Sequence, residues 1–350
     1  MLMVICGAGA SRDSIASLRH ASESEYLWRP PVTQEIFGRS NFLAVAEELG
    51  IEADDIQRFQ ASDSIEAALQ ELCDLNTQGS VKQVMAIRWF LQIIFAQCGE
   101  LWPNPTDKLN YEILIDKIEA NATCSFPVCF VTFNYDLLLE RAFSRGKNPI
   151  RFDSLDAHWN QTRYALFKPH GSVNWSRQIT SPLFEGYSSA DQLALAKEVI
   201  RRASEIRGFT SLYNLQTEYA SSLKRPIAWN EPMTNAMIPA LAIPVVRKAD
   251  DGRDGFVCPP EHIPKLRAYA EAATKVLLIG SRAREDHFFR LLPKDMNSFQ
   301  VGIICRSRDE ATDVACALSN THGIRAKFTA MSGGFSDSLD GDEVDEFLST

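Results

Sequence analysis

Leu2-Met-Val-Ile-Cys6 runs without a polar break into Gly7-Ala-Gly-Ala-Ser11. A short continuous apolar run reads as a strand buried on both faces. Glycines directly after it read either as a turn where backbone approaches a phosphate or as a tight turn with no ligand. A strand of this kind belongs in a parallel sheet covered by helices. Val128 to Phe133, Tyr164 to Lys168, Lys275 to Ile279, Gln300 to Cys305 and Ala326 to Thr329 are further strand candidates. Helical spacing marks Leu137 to Ser144, Leu266 to Ala273 and Asp309 to Ser319. The expected fold is α/β, a Rossmann-like doubly wound parallel sheet.

Other stretches depart from this alternation. Asn41 to Asn121 is helical in pattern, broken at Trp102-Pro-Asn-Pro105 and resumed over Leu109 to Ile118. Ala190 to Arg207 reads as a helix with an Arg201, Arg202 and Arg207 face, in an insertion that runs to about Ala228. Met237 to Val246 carries Pro239 and Pro244, so it reads as an edge strand or an extended loop. The expected organisation is a main domain over 1–335, with helical segments 41–121 and 176–228 forming a smaller subdomain, and an acidic tail over 336–350.

Charge narrows the function classes. The chain has 36 basic and 45 acidic side chains, a net −9. Six acids and no base fall in Ser336 to Thr350, which reads as a solvated tail. Acidic charge repels phosphate, so no direct nucleic-acid binding is expected. The apolar runs Ala86 to Cys98 and Ala236 to Val246 are too short to span a bilayer, and Met1 to Cys6 has no basic flank. No membrane association is expected. The eight cysteines include no Cys-x-x-Cys pair and read as small buried thiols in a reducing cytoplasm. Cys124 and Cys129 have no second pair beside them, so no metal site is expected.

Four segments carry polar chemistry at strand ends. After Gly7, Ala8, Gly9 and Ser11, the common dinucleotide fingerprint asks for a third glycine where Arg12 stands. It also asks for an acid after a second strand, and Glu23 and Glu25 have no such strand before them. A hydride-transferring dehydrogenase is therefore disfavoured. Thr132-Phe-Asn134-Tyr-Asp136 follows a strand, where ligands bind in open α/β sheets. Asn134 can both donate and accept, so it can hold a ribose hydroxyl or a water. Alternatively Asn134 or Asp136 caps the next helix. Lys168-Pro-His170-Gly-Ser172 offers a histidine suited to proton transfer at neutral pH, or a structural one. Ile279-Gly280-Ser281 closes another strand. Phe133, Tyr135 and Trp175 either stack on a ligand ring or belong to the core.

In this order the four segments resemble the sirtuin-like superfamily. The glycine turn is similar to its Gly-Ala-Gly-x-Ser, Thr132 to Asp136 to its Thr-x-Asn-x-Asp, His170-Gly171 to its His-Gly, and Ile279 to Ser281 to its strand-end Gly-Thr/Ser-Ser. The Pro30-Pro31-Val-Thr33 loop, with Ile36-Phe37 after it, resembles the bacterial branch found in anti-phage defence more than the deacetylases. Deacetylase sirtuins carry four paired zinc cysteines after the His-Gly. Gly171 to Phe256 contains no cysteine, so a helical insertion is expected to replace the zinc module. The Ile-Pro-Asp-Phe-Arg segment of deacetylases is also absent.

The resemblance implies NAD⁺ as substrate, without zinc, and cleavage of its nicotinamide–ribose bond to nicotinamide and ADP-ribose. It implies Asn134, His170 and Asp136 as catalytic residues. Gly7, Ala8, Gly9, Ser11, Thr132, Gly280 and Ser281 would line the dinucleotide pocket. A regulated NAD⁺ hydrolase of anti-phage defence is the leading expectation. It implies a homo-oligomer, or a complex with a HerA-type ATPase or an Argonaute-type protein. The alternatives are a protein deacylase, an ADP-ribosyltransferase, a non-catalytic NAD⁺ or ADP-ribose sensor, and a scaffold subunit. No Gly-x-x-x-x-Gly-Lys-Ser/Thr loop is present, so an ATPase activity would sit on another chain.

Overall fold

A computed structural model of the chain describes residues 1–15, 27–102, 104, 106–121, 127–180, 192–208, 219–221, 235–245 and 256–350. Glu23, Glu25, Cys124 and the end of the expected insertion, up to 228, lie outside these, as does the Arg207 side chain. The strands among them are β1 (Leu2–Cys6), β2 (Val128–Thr132), β3 (Tyr164–Phe167), β4 (Gly171–Thr180), β5 (Tyr219–Ser221), β6 (Asn235–Leu241), β7 (Lys275–Ile279), β8 (Asp295–Ile304) and β9 (Arg325–Met331). The first seven helices are α1 (Ala8–Arg12), α2 (Ser40–Glu48), α3 (Ala53–Ala61), α4 (Ile65–Leu75), α5 (Gln78–Leu101), α6 (Asn110–Ala120) and α7 (Leu138–Arg145). The others are α8 (Gln192–Arg201), α9 (Ala203–Gly208), α10 (His262–Glu271), α11 (Asp286–Phe289), α12 (Arg308–Asn320), α13 (Gly334–Asp340) and α14 (Glu343–Ser349).

The chain forms two compact units. The first comprises Met1–Pro30, Gly99–Pro169 and Cys258–Thr350. Its six strands pair in the order β3-β2-β1-β7-β8-β9, every pairing parallel. β1, β2 and β3 are buried along their whole length, which is why they read as unbroken apolar runs. Val4, Phe130, Leu166 and Leu277 share a core with Leu114 and Ile118 of α6 and Leu139 and Phe143 of α7. This is the expected Rossmann-like α/β fold. Helix α6, read from sequence as part of a helical segment 41–121, belongs instead to the sheet unit. Its apolar face matches the sheet, whereas the break at Trp102 separates it from α5.

The second unit comprises Pro31–Cys98 and His170–Val257. It is not purely helical. β5, β4 and β6 form an antiparallel three-stranded sheet beside helices α2 to α5 and the pair α8 and α9. The ten-residue β4 went unread because polar side chains are buried along it: Ser172, Ser176 and Arg177 are inside together with Val173 and Trp175, so no apolar run marks it. Gly171 has φ +84, and a Cβ there would stand 1.8 Å from the Ala240 carbonyl oxygen. The close passage of β4 by β6 therefore demands glycine at this position. Arg201 and Arg202 both pair with Glu198 and hold its carboxyl down at about 2.

Helix α5 has 24 residues and is long and apolar enough to cross a membrane by length and composition. Half of that stretch is buried, and two of its glutamines reach backbone carbonyls of the same unit. Gln83 donates to the Gly50 carbonyl at 3.1 Å and Gln92 to that of Val173 at 3.0 Å. These are features of a core helix.

The acidic stretch is not a solvated tail. Phe335, Leu339, Val344, Phe347 and Leu348 are buried in the first unit's core, through α13 and α14. Each such side chain contributes about 1.5–3 kcal/mol when taken out of water. The apolar spacing, rather than the acid count, decides the outcome. Ser336 ties this segment to the turn after β1. Its N–H donates to Asp13 Oδ2 at 3.0 Å and its hydroxyl to Asp13 Oδ1 at 2.7 Å. Asn110 donates to the Asp13 carbonyl at 2.6 Å and to Ser336 Oγ at 2.8 Å.

Two histidines are buried side by side in the first unit. His158 Nδ1 lies 3.0 Å from the Ser154 carbonyl and His262 Nε2 3.1 Å from that of Leu155, with ring centroids 5.8 Å apart. Burial pushes both down to about 4 from an ordinary 6.5. The folded state keeps them neutral, while the unfolded chain takes up protons below about pH 6.5. Their contribution to stability is therefore complete above pH 6.5 and is lost as pH falls through about 4. Urea midpoints measured from pH 7 to pH 4 are expected to fall more steeply for the native chain than for a His158→Gln, His262→Gln variant. Equal slopes would refute the assignment.

Candidate active site

β1 lies at the centre of the sheet. The chain leaves it towards β2 and β3 on one side, whereas β7 leads to β8 and β9 on the other. The carboxyl ends of β1 and β7 thus flank the point where the strand order reverses, the place where open α/β sheets bind ligands. There the two turns touch. Gly7 N–H donates to the Ile279 carbonyl at 2.9 Å and Gly9 N–H to that of Gly280 at 3.0 Å. A Cβ on Gly7 would meet Gly280 O at 2.6 Å, and one on Gly280 would meet Ala10 N at 2.5 Å. The glycines are required first for this backbone-to-backbone contact. Helix α1 has only five residues, and the N–H groups of Gly7, Gly9 and Ala10 are spent on backbone carbonyls. The turn therefore offers a phosphate little beyond the Ala8 N–H and the half-exposed backbone around it, less than the sequence suggested.

Asn134 stands beside this turn. Its Nδ2 donates to the Gly7 carbonyl and to Ser11 Oγ, both at 2.8 Å. A carbonyl can only accept, so the amide orientation is fixed and Oδ1 remains as the acceptor this side chain has to offer. Its N–H donates to Thr132 Oγ1 at 3.1 Å. Ser11 Oγ also lies 3.1 Å from the Tyr111 hydroxyl of α6. Asp136 Oδ1 accepts the Leu138 N–H at 3.0 Å, a turn bond just ahead of α7, whose cap residue is Leu137. Its Oδ2 is buried and has no hydrogen-bond partner among the described residues. Burial pushes the Asp136 carboxyl up, opposed by the Lys168 ammonium, the nearby Ser11 hydroxyl and the hydrogen bond from the Leu138 N–H.

Residues 128–183 match the family model of the SIR2-like domain. The match supports a sirtuin-like family and is consistent with an NAD-utilising enzyme. No curated protein matches the chain. The SIR2-like stretch contains Thr132, Asn134, Asp136 and His170, and the structure groups the first three with Gly7, Ser11, Gly280 and Ser281. His170 lies in the second unit, buried, with its carbonyl accepting the Ala242 N–H at 2.8 Å. Phe133 packs edge-on against Phe288, and Tyr135 and Trp175 are buried, so these aromatics are core. Among the described residues no three His, Cys, Asp or Glu side chains gather as a metal would require.

Two side chains of this region had no role in the sequence reading. Tyr111 is 1 % exposed and arrives from α6, and nothing in its local sequence marks it. Lys168 is fully buried at the end of the SIR2-like segment's β3. Its Nζ donates to the Asp136 carbonyl at 2.6 Å and to Glu140 Oε1 at 2.8 Å. The lysine thereby fixes the loop that carries Asn134. Its signal was available: a strand otherwise apolar that ends in lysine next to proline.

Proposed function

We propose that this chain is an NAD⁺ glycohydrolase. The observation that carries the reading is the fixed Asn134 amide, whose remaining acceptor stands at the sheet's reversal point beside the glycine turn. The reaction breaks the bond between the ribose anomeric carbon and the nicotinamide nitrogen. The electron pair stays on that nitrogen, so nicotinamide leaves neutral and needs no acid. An oxocarbenium-like centre develops on the ribose and takes an oxygen from water. Asn134 Oδ1 orients the ribose hydroxyl or that water by accepting a hydrogen bond. His170, by its resemblance to the family's His-Gly, receives the proton. Asp136 and Lys168 shape the loop that holds Asn134. Gly7, Ala8, Gly9, Ser11, Thr132, Gly280 and Ser281 line the dinucleotide site.

Sequence resemblance supports a role in anti-phage defence through NAD⁺ depletion, with activity controlled by self-assembly or by a HerA-type or Argonaute-type partner. The test is product analysis by mass spectrometry after incubation with NAD⁺, for the chain alone and with such a partner. Nicotinamide and ADP-ribose are expected from the wild type. Asn134→Ala and His170→Ala are each expected to lose about 100-fold or more, the usual worth of a positioned polar group or general base. Intact NAD⁺ under both conditions overturns the reading.

A further inference from the structure

The loop after β7 holds a strained residue. Ala283 has φ +52, in the left-handed region that non-glycine residues avoid. Asn76 also lies there, but it is a helix C-cap of a type that tolerates the conformation. Ala283 has no polar side chain to compensate. It is 3 % exposed and is held from both sides. Its N–H donates to Ser281 Oγ at 3.1 Å, and its carbonyl accepts from His322 Nε2 at 2.8 Å. His322 itself is 4 % exposed, with its ring 5.0 Å from that of Phe289 and Nδ1 3.8 Å from Asp286 Oδ1. Strain of this kind persists where the surroundings over-determine it, and it collects at ligand clamps.

The kink has a consequence for charge. Ala283 is buried, while Arg282 and Arg284 on either side are exposed. Arg282 makes no hydrogen bond or ion pair among the described residues. Its charge bears on Cys305 just beyond β8, so it stands by the ends of two neighbouring strands. The residue before it, Ser281, abuts Gly7: a Gly7 Cβ would lie 2.7 Å from Ser281 Cα. The glycine turn supplies almost no positive charge, since α1 is short and the N–H groups of Gly7, Gly9 and Ala10 are occupied. A diphosphate carries two negative charges and needs a cation at this crevice, and a guanidinium can meet two phosphate oxygens at once.

We propose that Arg282 binds the substrate's diphosphate, and that His322 is the positioning residue that latches the Gly280–Glu285 loop so that Arg282 is presented to it. The proposal rests on reading this crevice as a dinucleotide site. Calorimetric titration with ADP-ribose tests it, with adenosine as the probe that lacks the diphosphate. Arg282→Met is expected to weaken ADP-ribose about tenfold or more and to leave adenosine unchanged. His322→Ala is expected to weaken ADP-ribose about fivefold to tenfold. In turnover it raises KM for NAD⁺ while kcat stays within about twofold. His322→Gln, whose amide nitrogen can reach the same carbonyl, restores both. Wild-type affinity in Arg282→Met and His322→Ala overturns the proposal while leaving the dinucleotide reading intact. A wild-type chain that binds neither ADP-ribose nor NAD⁺ overturns both. Arg282 is exposed, so its variant folds whatever the latch does and keeps the proposal falsifiable.

Discussion

Lys168→Met is expected to cost about 3–5 kcal/mol of unfolding free energy, the range for removing one partner of a buried ion pair. The lysine is completely buried and Glu140 is 9 % exposed, with 2.8 Å between Nζ and Oε1. Without the ammonium, the Glu140 carboxylate is left in a medium that cannot solvate it, and the Asp136 carbonyl loses a 2.6 Å hydrogen bond. Methionine nearly preserves the volume, so packing loss is a minor part of the effect. A Glu140→Gln, Lys168→Met double variant separates the two contributions. It removes the stranded charge and is expected to recover more than half of the lost stability in urea titrations. It should still bind ADP-ribose poorly, because nothing then ties the Asn134 loop to β3. A single variant as stable as the native chain would show that the pair carries no such cost.

Gly280→Ala is expected to cost about 2–4 kcal/mol, the sum of overpacking and left-handed strain. The added methyl would sit 2.5 Å from Ala10 N and 2.6 Å from Gly9 C, both backbone atoms that no rotamer change can move aside. Gly323→Ala is the internal control. Gly323 has φ +69, but a methyl added there would have nothing within 4 Å, so only the conformational part applies, about 1 kcal/mol. Denaturant midpoints for the two variants therefore measure the steric share directly. Equal losses would mean that the contact between the β1 and β7 turns is looser than described. The Gly280 variant should also lose ADP-ribose binding, since the turns can separate only by reshaping the crevice.

The parts legible in the sequence were those with a local cause. β1, β2 and β7 are buried on both faces, so continuous apolar runs reported them faithfully. Asn134 and Gly280 were legible because each follows a strand end within two residues, and Ser11 because it closes the glycine turn after β1. β4 escaped because buried Ser172, Ser176 and Arg177 interrupt Val173 and Trp175, leaving neither an apolar run nor a clean alternation to read. Charge misled at Ser336 to Thr350, where six acids hid Phe347 and Leu348 at core positions. Tyr111 and His322 could not be assigned from sequence, and Lys168 showed only as a lysine closing an apolar strand. Their partners lie 28 to 100 residues away, so only the tertiary arrangement reveals the contacts. The left-handed Ala283 was equally invisible, because alanine carries no signature of that conformation.

The bond between Asp13 and Ser336 spans 323 residues. β1 likewise takes its second neighbour from positions 275–279. On the ribosome, the β1 side of the crevice is made long before the β7 side and waits for it before the crevice can close. Contacts this far apart form late and slowly. For an enzyme whose proposed substrate is the cell's own NAD⁺, this order of assembly acts as a safeguard: translation cut short leaves a fragment without the β7 wall or the Ser336 tie, and so without a site.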